Sequence, residues 1–197
     1  TQISIPSSVT SIGNNAFNGC SSLTQISMPS SINEIGNGVF SQCIKLDKIS
    51  IISCQEKIIN YFEEKFLVYK TEKTSDNYDT LLWVNPSKLI ITIPSFIKNI
   101  GNNAFFGCSS LTQITIPSSV ISIGNNAFYK CSSLTQISIP SSVTSFGKNI
   151  FNGIQTLEIT GDIKYIPDKL FSECSTLTRI TIPSSVTSIG DNAFYKC

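Results

Sequence analysis

The chain has 197 residues, of which 41% are hydrophobic and 14% charged, with 14 basic and 13 acidic side chains and no histidine. That charge content is well below the ~25% usual in soluble domains, and a net charge of +1 gives no bulk field for nucleic acid or an anionic membrane. The missing histidine excludes the Ser-His-Asp and Cys-His nucleophile devices, His-containing zinc sites and the two-His-one-carboxylate iron site.

No basic-then-apolar leader occurs, nor any apolar run near the ~18 residues of a membrane span, so membrane insertion by this segment is not expected. Opening on TQISIP and closing on FYKC without an initiator Met, the chain reads as an excised piece of a longer protein.

One phrase recurs along the chain: LTQISMPSSINEIGNGVFSQC from Leu23, LTQITIPSSVISIGNNAFYKC from Leu111, LTQISIPSSVTSFGKNIFNG from Leu134 and LTRITIPSSVTSIGDNAFYKC from Leu177. Pro6 to Pro29, Pro94 to Pro117 and Pro117 to Pro140 are each 23 residues. Thr160 stands where the next proline is due, after a step of 20, and Pro183 follows it by 23. On this period one row of Val and Ile runs from Val9 to Val186, one mainly of Ile from Ile12 to Ile189, and one of Phe from Phe17 to Phe194. Such rows are what stacked coils require, because each coil buries its face only against its neighbours.

Within a unit, LxxIxI alternates around β-branched Ile and predicts a short strand with Ile pointing inward. Proline then blocks extension of the ladder. A Ser-Ser-Val turn leads to a second extended piece ending in Ile-Gly, where Gly13, Gly36, Gly101, Gly124, Gly147 and Gly190 are expected to take positive φ. An Asn-rich corner and an AFxGC turn, read as a single helical turn, close the coil.

Between Ile51 and Ile93 the register breaks, and residues 45 to 90 hold 14 of the 27 charged side chains. In SCQEKIINYFEEKF the spacing of Ile58, Ile59, Phe62 and Phe66 predicts an amphipathic helix of about three turns. After it, FLVYK and TLLWV predict a hairpin with the polar tip TEKTSDNYD.

The unit LTQISIPSSVTSIGNNAFxGC is similar to the BspA-like leucine-rich repeat, a subtype found in surface proteins of bacteria and of mucosal protozoan parasites. The resemblance covers residues 1 to 51 and 91 to 197 as seven copies. It implies one mainly β, right-handed solenoid over the whole chain, with residues 52 to 90 as an irregular insertion. The insertion resembles a phrase that such proteins often carry, matched here by Leu81, Leu82, Trp83, Pro86 and residues 91 to 94, with Asn85 where a first proline is often found. Ser31, Ser119, Ser142 and Ser185 replace the general consensus Asn, so an Asn ladder inside the turn is not expected; a Ser hydroxyl bonds backbone more weakly.

Six of seven cysteines share one repeat position: Cys20, Cys43, Cys108, Cys131, Cys174 and Cys197. They read as small apolar fillers in a buried ladder. Stacked disulfides between neighbouring coils, and a metal site, stand as the other readings. A catalytic thiol lacks a base to lower its pKa. The carboxylates Glu63 and Glu64, and Asp76 and Asp79, read as solvated surface rather than an acid and base pair. Phosphate-binding, dinucleotide and EF-hand motifs are missing, so neither reaction, metal nor cofactor is expected.

Surface is what remains. Thr24 and Gln25, Thr112 and Gln113, Thr135 and Gln136, and Thr178 and Arg179 lie between inward residues and would tile the outward face of the first sheet. Ser27, Thr115, Ser138 and Thr181 join them, with Asp47, Lys48 and Glu158 in the irregular coils. Such a face suits a protein or glycan ligand, or is simply soluble sheet. In the insertion, Tyr69, Tyr78 and Trp83 offer contact area with a polar handle, or serve packing. What the resemblance implies is a non-enzymatic, extracellular or cell-surface module for adhesion to host cells or matrix. The alternative is a structural spacer presenting another domain. The first and last units are ordinary repeats without polar caps, so end-to-end or edge self-association is also expected.

Overall fold

The structure, a computed structural model, describes residues 1–52, 59–62, 66–70 and 78–197. Among these every regular element is a strand. The first two coils are β1 (Gln2–Ser4) with β2 (Ser11–Ile12) and β3 (Gln25–Pro29) with β4 (Glu34–Ile35). β5 (Lys48–Ile52) opens the third; β6 (Ile59–Phe62) and β7 (Phe66–Tyr69) are inserted, and β8 (Thr80–Val84) completes it. Regular coils resume with β9 (Ile90–Thr92) and β10 (Asn99–Ile100), then β11 (Gln113–Thr115) and β12 (Ser122–Ile123). β13 (Gln136–Ser138) with β14 (Ser145–Phe146), β15 (Thr156–Thr160) with β16 (Tyr165–Ile166), and β17 (Arg179–Thr181) with β18 (Ser188–Ile189) follow.

Equivalent strands pair in parallel, one repeat apart. The first sheet lies in two pieces, β1-β3-β5 and β9-β11-β13-β15-β17. Second strands form β2-β4, a six-stranded β6-β7-β8-β10-β12-β14 and β16-β18. Register is locked by the period: Ile26, Ile114 and Ile137 are fully buried while their outward neighbours face solvent, and a one-residue slip would invert every side chain.

The Phe row is a physical stack. Ring centroids of Phe105 and Phe128 are 4.8 Å apart, Phe151 and Phe171 5.1 Å, and Phe171 and Phe194 5.2 Å. The serine row supplies the turn's own ladder. Ser31, Ser119 and Ser142 each donate the hydroxyl to the preceding coil's carbonyl, at Val9, Ile97 and Val120, over 2.7 to 2.8 Å. At the corner, Asn14 Oδ1 accepts from the Asn37 amide and Asn102 Oδ1 from the Asn125 amide, at 2.8 and 2.7 Å.

The repeat glycines correct the expectation of positive φ. None of Gly13, Gly36, Gly101, Gly124, Gly147 or Gly190 is left-handed. The left-handed corner residue is instead an asparagine two positions on, as at Asn15 (57°), Asn103 (60°) and Asn126 (54°), a residue that tolerates this region. The glycine serves close stacking: a Cβ on Gly124 would stand 2.6 Å from the Asn102 backbone nitrogen, and on Gly101 2.7 Å from the Leu81 carbonyl oxygen. The closing turn is also not helical; it is a run of turns such as Cys20 N to Phe17 O and Leu23 N to Cys20 O.

The predicted helix gives way to strand where the structure describes it. Ile59–Phe62 pairs antiparallel with Phe66–Tyr69; the rest of that reading, residues 53–58 and 63–65, lies outside the described residues. The hairpin of β7 and β8 forms as expected, and the tip residues 71–77 also lie outside. β7 alternates between two cores. Leu67 and Tyr69 join Leu82 and Trp83 against the first coils, whereas Phe66 and Val68 join Leu81 and Val84 against the later ones. The hairpin is therefore the partition between two stacks. Its β8 pairs with β10 in parallel, and Val84 takes the place of the missing Phe: its amide bonds Ala104 O as Phe17 N bonds Val39 O.

The short step is divided between two places. Gln136 faces Glu158, 22 residues on, so one residue is lost before the strand. Two more go at the turn, where Gly161 and Asp162 stand in for Ile139, Pro140, Ser141 and Ser142.

Candidate functional site

The outward residues of the first sheet form columns along the solenoid. Gln2, Gln25 and Lys48 are one column and Ile90, Gln113, Gln136 and Glu158 its continuation across the break. Ser4, Ser27 and Ser50, then Thr92, Thr115 and Ser138, form the next. Gln136 donates to Glu158 Oε2 at 3.2 Å. Arg179 pairs in register with Thr156, not with Glu158, and a small depression of about 150 Å³ lies among Thr135, Glu158, Arg179 and Thr181.

The threonines of this face are tied to the preceding coil by their hydroxyls. Thr24 donates to Thr1 O (3.1 Å), Thr112 to Leu89 O (3.0 Å), Thr135 to Thr112 O (3.4 Å) and Thr178 to Gln155 O (3.0 Å). The Gln113 and Gln136 amides lie in the column, and the Arg179 guanidinium lies one strand beyond Glu158. In the coil after the break the pattern changes: Leu89 and Ile90 replace Thr-Gln and are 62% and 66% exposed.

Of the insertion aromatics, Trp83 is buried at 4% exposure and meets Phe40 edge-on at 6.1 Å, which continues the aromatic stack of the first coils and removes it from the surface. Tyr69 is half-buried against the same core. Tyr78 is half-buried with Lys70 Nζ 5.2 Å over its ring, and burial raises its phenol pKa.

The described cysteines are free thiols. Cys43, Cys131 and Cys197 each donate to the carbonyl of the preceding coil's Phe, at Phe17, Phe105 and Phe171, over 3.0 to 3.1 Å. Burial pushes Cys43 up to about 11 and Cys108 and Cys174 to about 12, which suppresses the thiolate. No group of three or more Cys, Asp or Glu side chains that could hold a metal ion occurs among the described residues. Asp79 hydrogen-bonds Thr80 at 3.0 Å; Glu63, Glu64 and Asp76 lie outside the described residues. No helix among those residues is long and apolar enough to cross a membrane.

Sequence reasoning did not find a cleft of about 590 Å³ on the corner side, spanning the break between the two stacks. Its signal was present: between the Phe position at Val84 and the outward column at Ile90 the third coil is two residues shorter than between Phe105 and Gln113.

Comparison with family models matches residues 1–73 and 85–197 to the BspA type leucine rich repeat region, in six copies. A leucine rich cell surface protein from Faecalibacterium prausnitzii superposes with a TM-score of 0.77 at 30% identity over 100% of this chain. A leucine-rich repeat protein from Eubacterium ventriosum superposes over 98% with a TM-score of 0.67 at 24% identity. The chain spans 57% of the first and 63% of the second. No match arises among curated proteins.

Proposed function

The chain belongs to the BspA-type leucine-rich repeat family, and from that premise we propose that it is a non-enzymatic binding module of a cell-surface or extracellular protein, adhering to a protein or glycan ligand on host cells or matrix. The observation that carries this reading is the outward column of Gln113, Gln136 and Glu158 with the neighbouring Arg179. It is a rigid, register-locked polar array on a strand scaffold, which binds with little ordering entropy. The cell-surface description of the F. prausnitzii relative supports the location. Tyr69, which ends β7, and Tyr78, which precedes β8, are secondary contacts on the second-strand sheet rather than on the array.

A structural spacer is the competing reading, favoured by the hydroxyls of Thr24, Thr112, Thr135 and Thr178, which are spent on carbonyls of the preceding coil. Titration of the soluble chain onto cultured epithelial cells and immobilised matrix proteins separates the two. Saturable binding supports adhesion; a linear, non-saturable response on every surface supports the spacer.

A further inference from the structure

We propose that the corner-side cleft at the break binds a short oligosaccharide bearing a carboxylate. At about 590 Å³ the cleft has the size of small-molecule sites, and the fold explains why it is there. The third coil's corner is two residues short, so the rows of the second and fourth coils line a notch instead of stacking on a full turn between them.

Two repeat rows and one ring make the lining. The floor is the residue before each cysteine or its equivalent: Gly19, Gln42, Gly107, Lys130 and Gly153. All five are left-handed, with φ between 59° and 91°. Glycine takes this region freely, whereas a side chain there is strained, so Gln42 and Lys130 are strained placements of an amide and a cation in the cleft. The two other side chains in this row, on Glu173 and Lys196, lie 3.6 Å from one another as an ion pair. Gln42 has a protein partner for one amide hydrogen, Asn18 Oδ1 at 3.2 Å, which leaves its other donor and its carbonyl for a ligand.

The wall is the residue after each cysteine: Ser21, Ser109 and Ser132 present hydroxyls, and Ile44 takes the same place in the second coil at 56% exposure. Phe106 adds a ring, one face of it stacked on Tyr129 at 5.0 Å. Two buried side-chain oxygens without a hydrogen-bond partner among the described residues, Ser41 Oγ and Asn152 Oδ1, belong to the residues preceding Gln42 and Gly153.

Hydroxyls and an amide beside an aromatic ring and an aliphatic side chain suit a sugar, whose faces are apolar and whose rim is a ring of hydroxyls. An extended peptide is less suited, because floor amides are already used between coils: Gly19 N bonds Ser41 O, Gly107 N bonds Tyr129 O and Lys130 N bonds Asn152 O. Among the described residues of the lining, Lys130 is the only charged one, so the complementary ligand carries an anion. Lys130 Nζ lies 5.6 Å from the Tyr129 ring centroid, the same ring on which Phe106 stacks.

Saturation-transfer NMR and calorimetry with sialyllactose and lactose test the site. Sialyllactose is expected to bind about five-fold more tightly than lactose, the size of an exposed charge pair. Lys130→Gln should remove that preference with the melting temperature unchanged, and Phe106→Ala should weaken both sugars. Equal affinity for the two sugars, no binding of either by the folded chain, or a Lys130-dependent response to an Asp/Glu hexapeptide with sialyllactose silent would each overturn the proposal. None of these results bears on the first-sheet face, which the cell titration tests separately.

Discussion

The side-chain amide of Asn85 donates to both the main-chain carbonyl and the carboxylate of Asp47, at 3.3 and 3.1 Å. Its own oxygen accepts from the Ser87 amide (3.0 Å) and hydroxyl (2.7 Å). Asn85 is 2% exposed, so this bracket closes the short corner of the third coil onto the residue before β5. Asn85→Ala strands several of these groups and is expected to lower unfolding free energy by about 2 to 3 kcal/mol. Asp47→Ala should lower it less, because the Asp47 carbonyl survives. Urea denaturation of both variants checks the ranking.

The two explanations of the repeat glycines differ in what Gly13 should do. It shares sequence context with Gly124, yet a Cβ there meets nothing within 4 Å. Gly13→Ala is expected to leave stability unchanged or raise it by a few tenths of a kcal/mol up to about 1 kcal/mol. Gly124→Ala should cost about 2 kcal/mol or more, since backbone must shift. Equal losses at both positions would restore the positive-φ explanation.

The thiol ladder predicts an alkaline limit. Burial raises the pKa of Cys43 to about 11 and of Cys108 to about 12, so the fold prefers the neutral thiol. That stabilisation is complete below the ordinary thiol value and is lost as pH rises through the folded values. At neutral pH Cys43, Cys108, Cys131 and Cys174 should resist alkylation in the native protein while Cys20 and Cys197 react. In denaturant seven thiols should be counted, against seven cysteines in the chain.

Asp162 gives the opposite dependence. Its carboxylate accepts from the Ser141 hydroxyl (2.8 Å) and amide (2.7 Å), and these two bonds lower its pKa. A depressed carboxyl stabilises above its ordinary value and loses that contribution as pH falls through the folded value. The stability difference between the parent and Asp162→Asn should be largest near neutrality and vanish toward about pH 2. Thermal melts across that range measure it.

The solenoid was legible because copying repeats the same constraint: a Phe or Ile at a fixed period has no other way to be buried than against its neighbour. Serine in place of Asn was also legible as a weaker backbone donor. The glycines were misread because a sequence shows that a side chain is excluded, not whether φ or a neighbour's backbone excludes it. The insertion was misread because Ile59, Phe62 and Phe66 fit a helical spacing as well as two strands. The pairing of Phe62 with Phe66 decides for strands, and it depends on cross-strand contacts that periodicity does not report. Trp83 belonged to the same ambiguity; Phe40, 43 residues earlier in the chain, settles its position by packing against it. The cleft was least visible, since it follows from a shortfall in one coil that matters only when its neighbours are stacked on either side.

The proposed function assigns adhesion to the outward column of the first sheet. The most direct measurement is saturation binding of the soluble chain to epithelial cells, comparing the parent with a Gln113→Lys, Gln136→Lys, Arg179→Glu variant whose melting temperature is unchanged. The account predicts saturable binding by the parent and a loss of about ten-fold or more in the variant, equivalent to ~1.4 kcal/mol. Undiminished binding by the folded variant would contradict it.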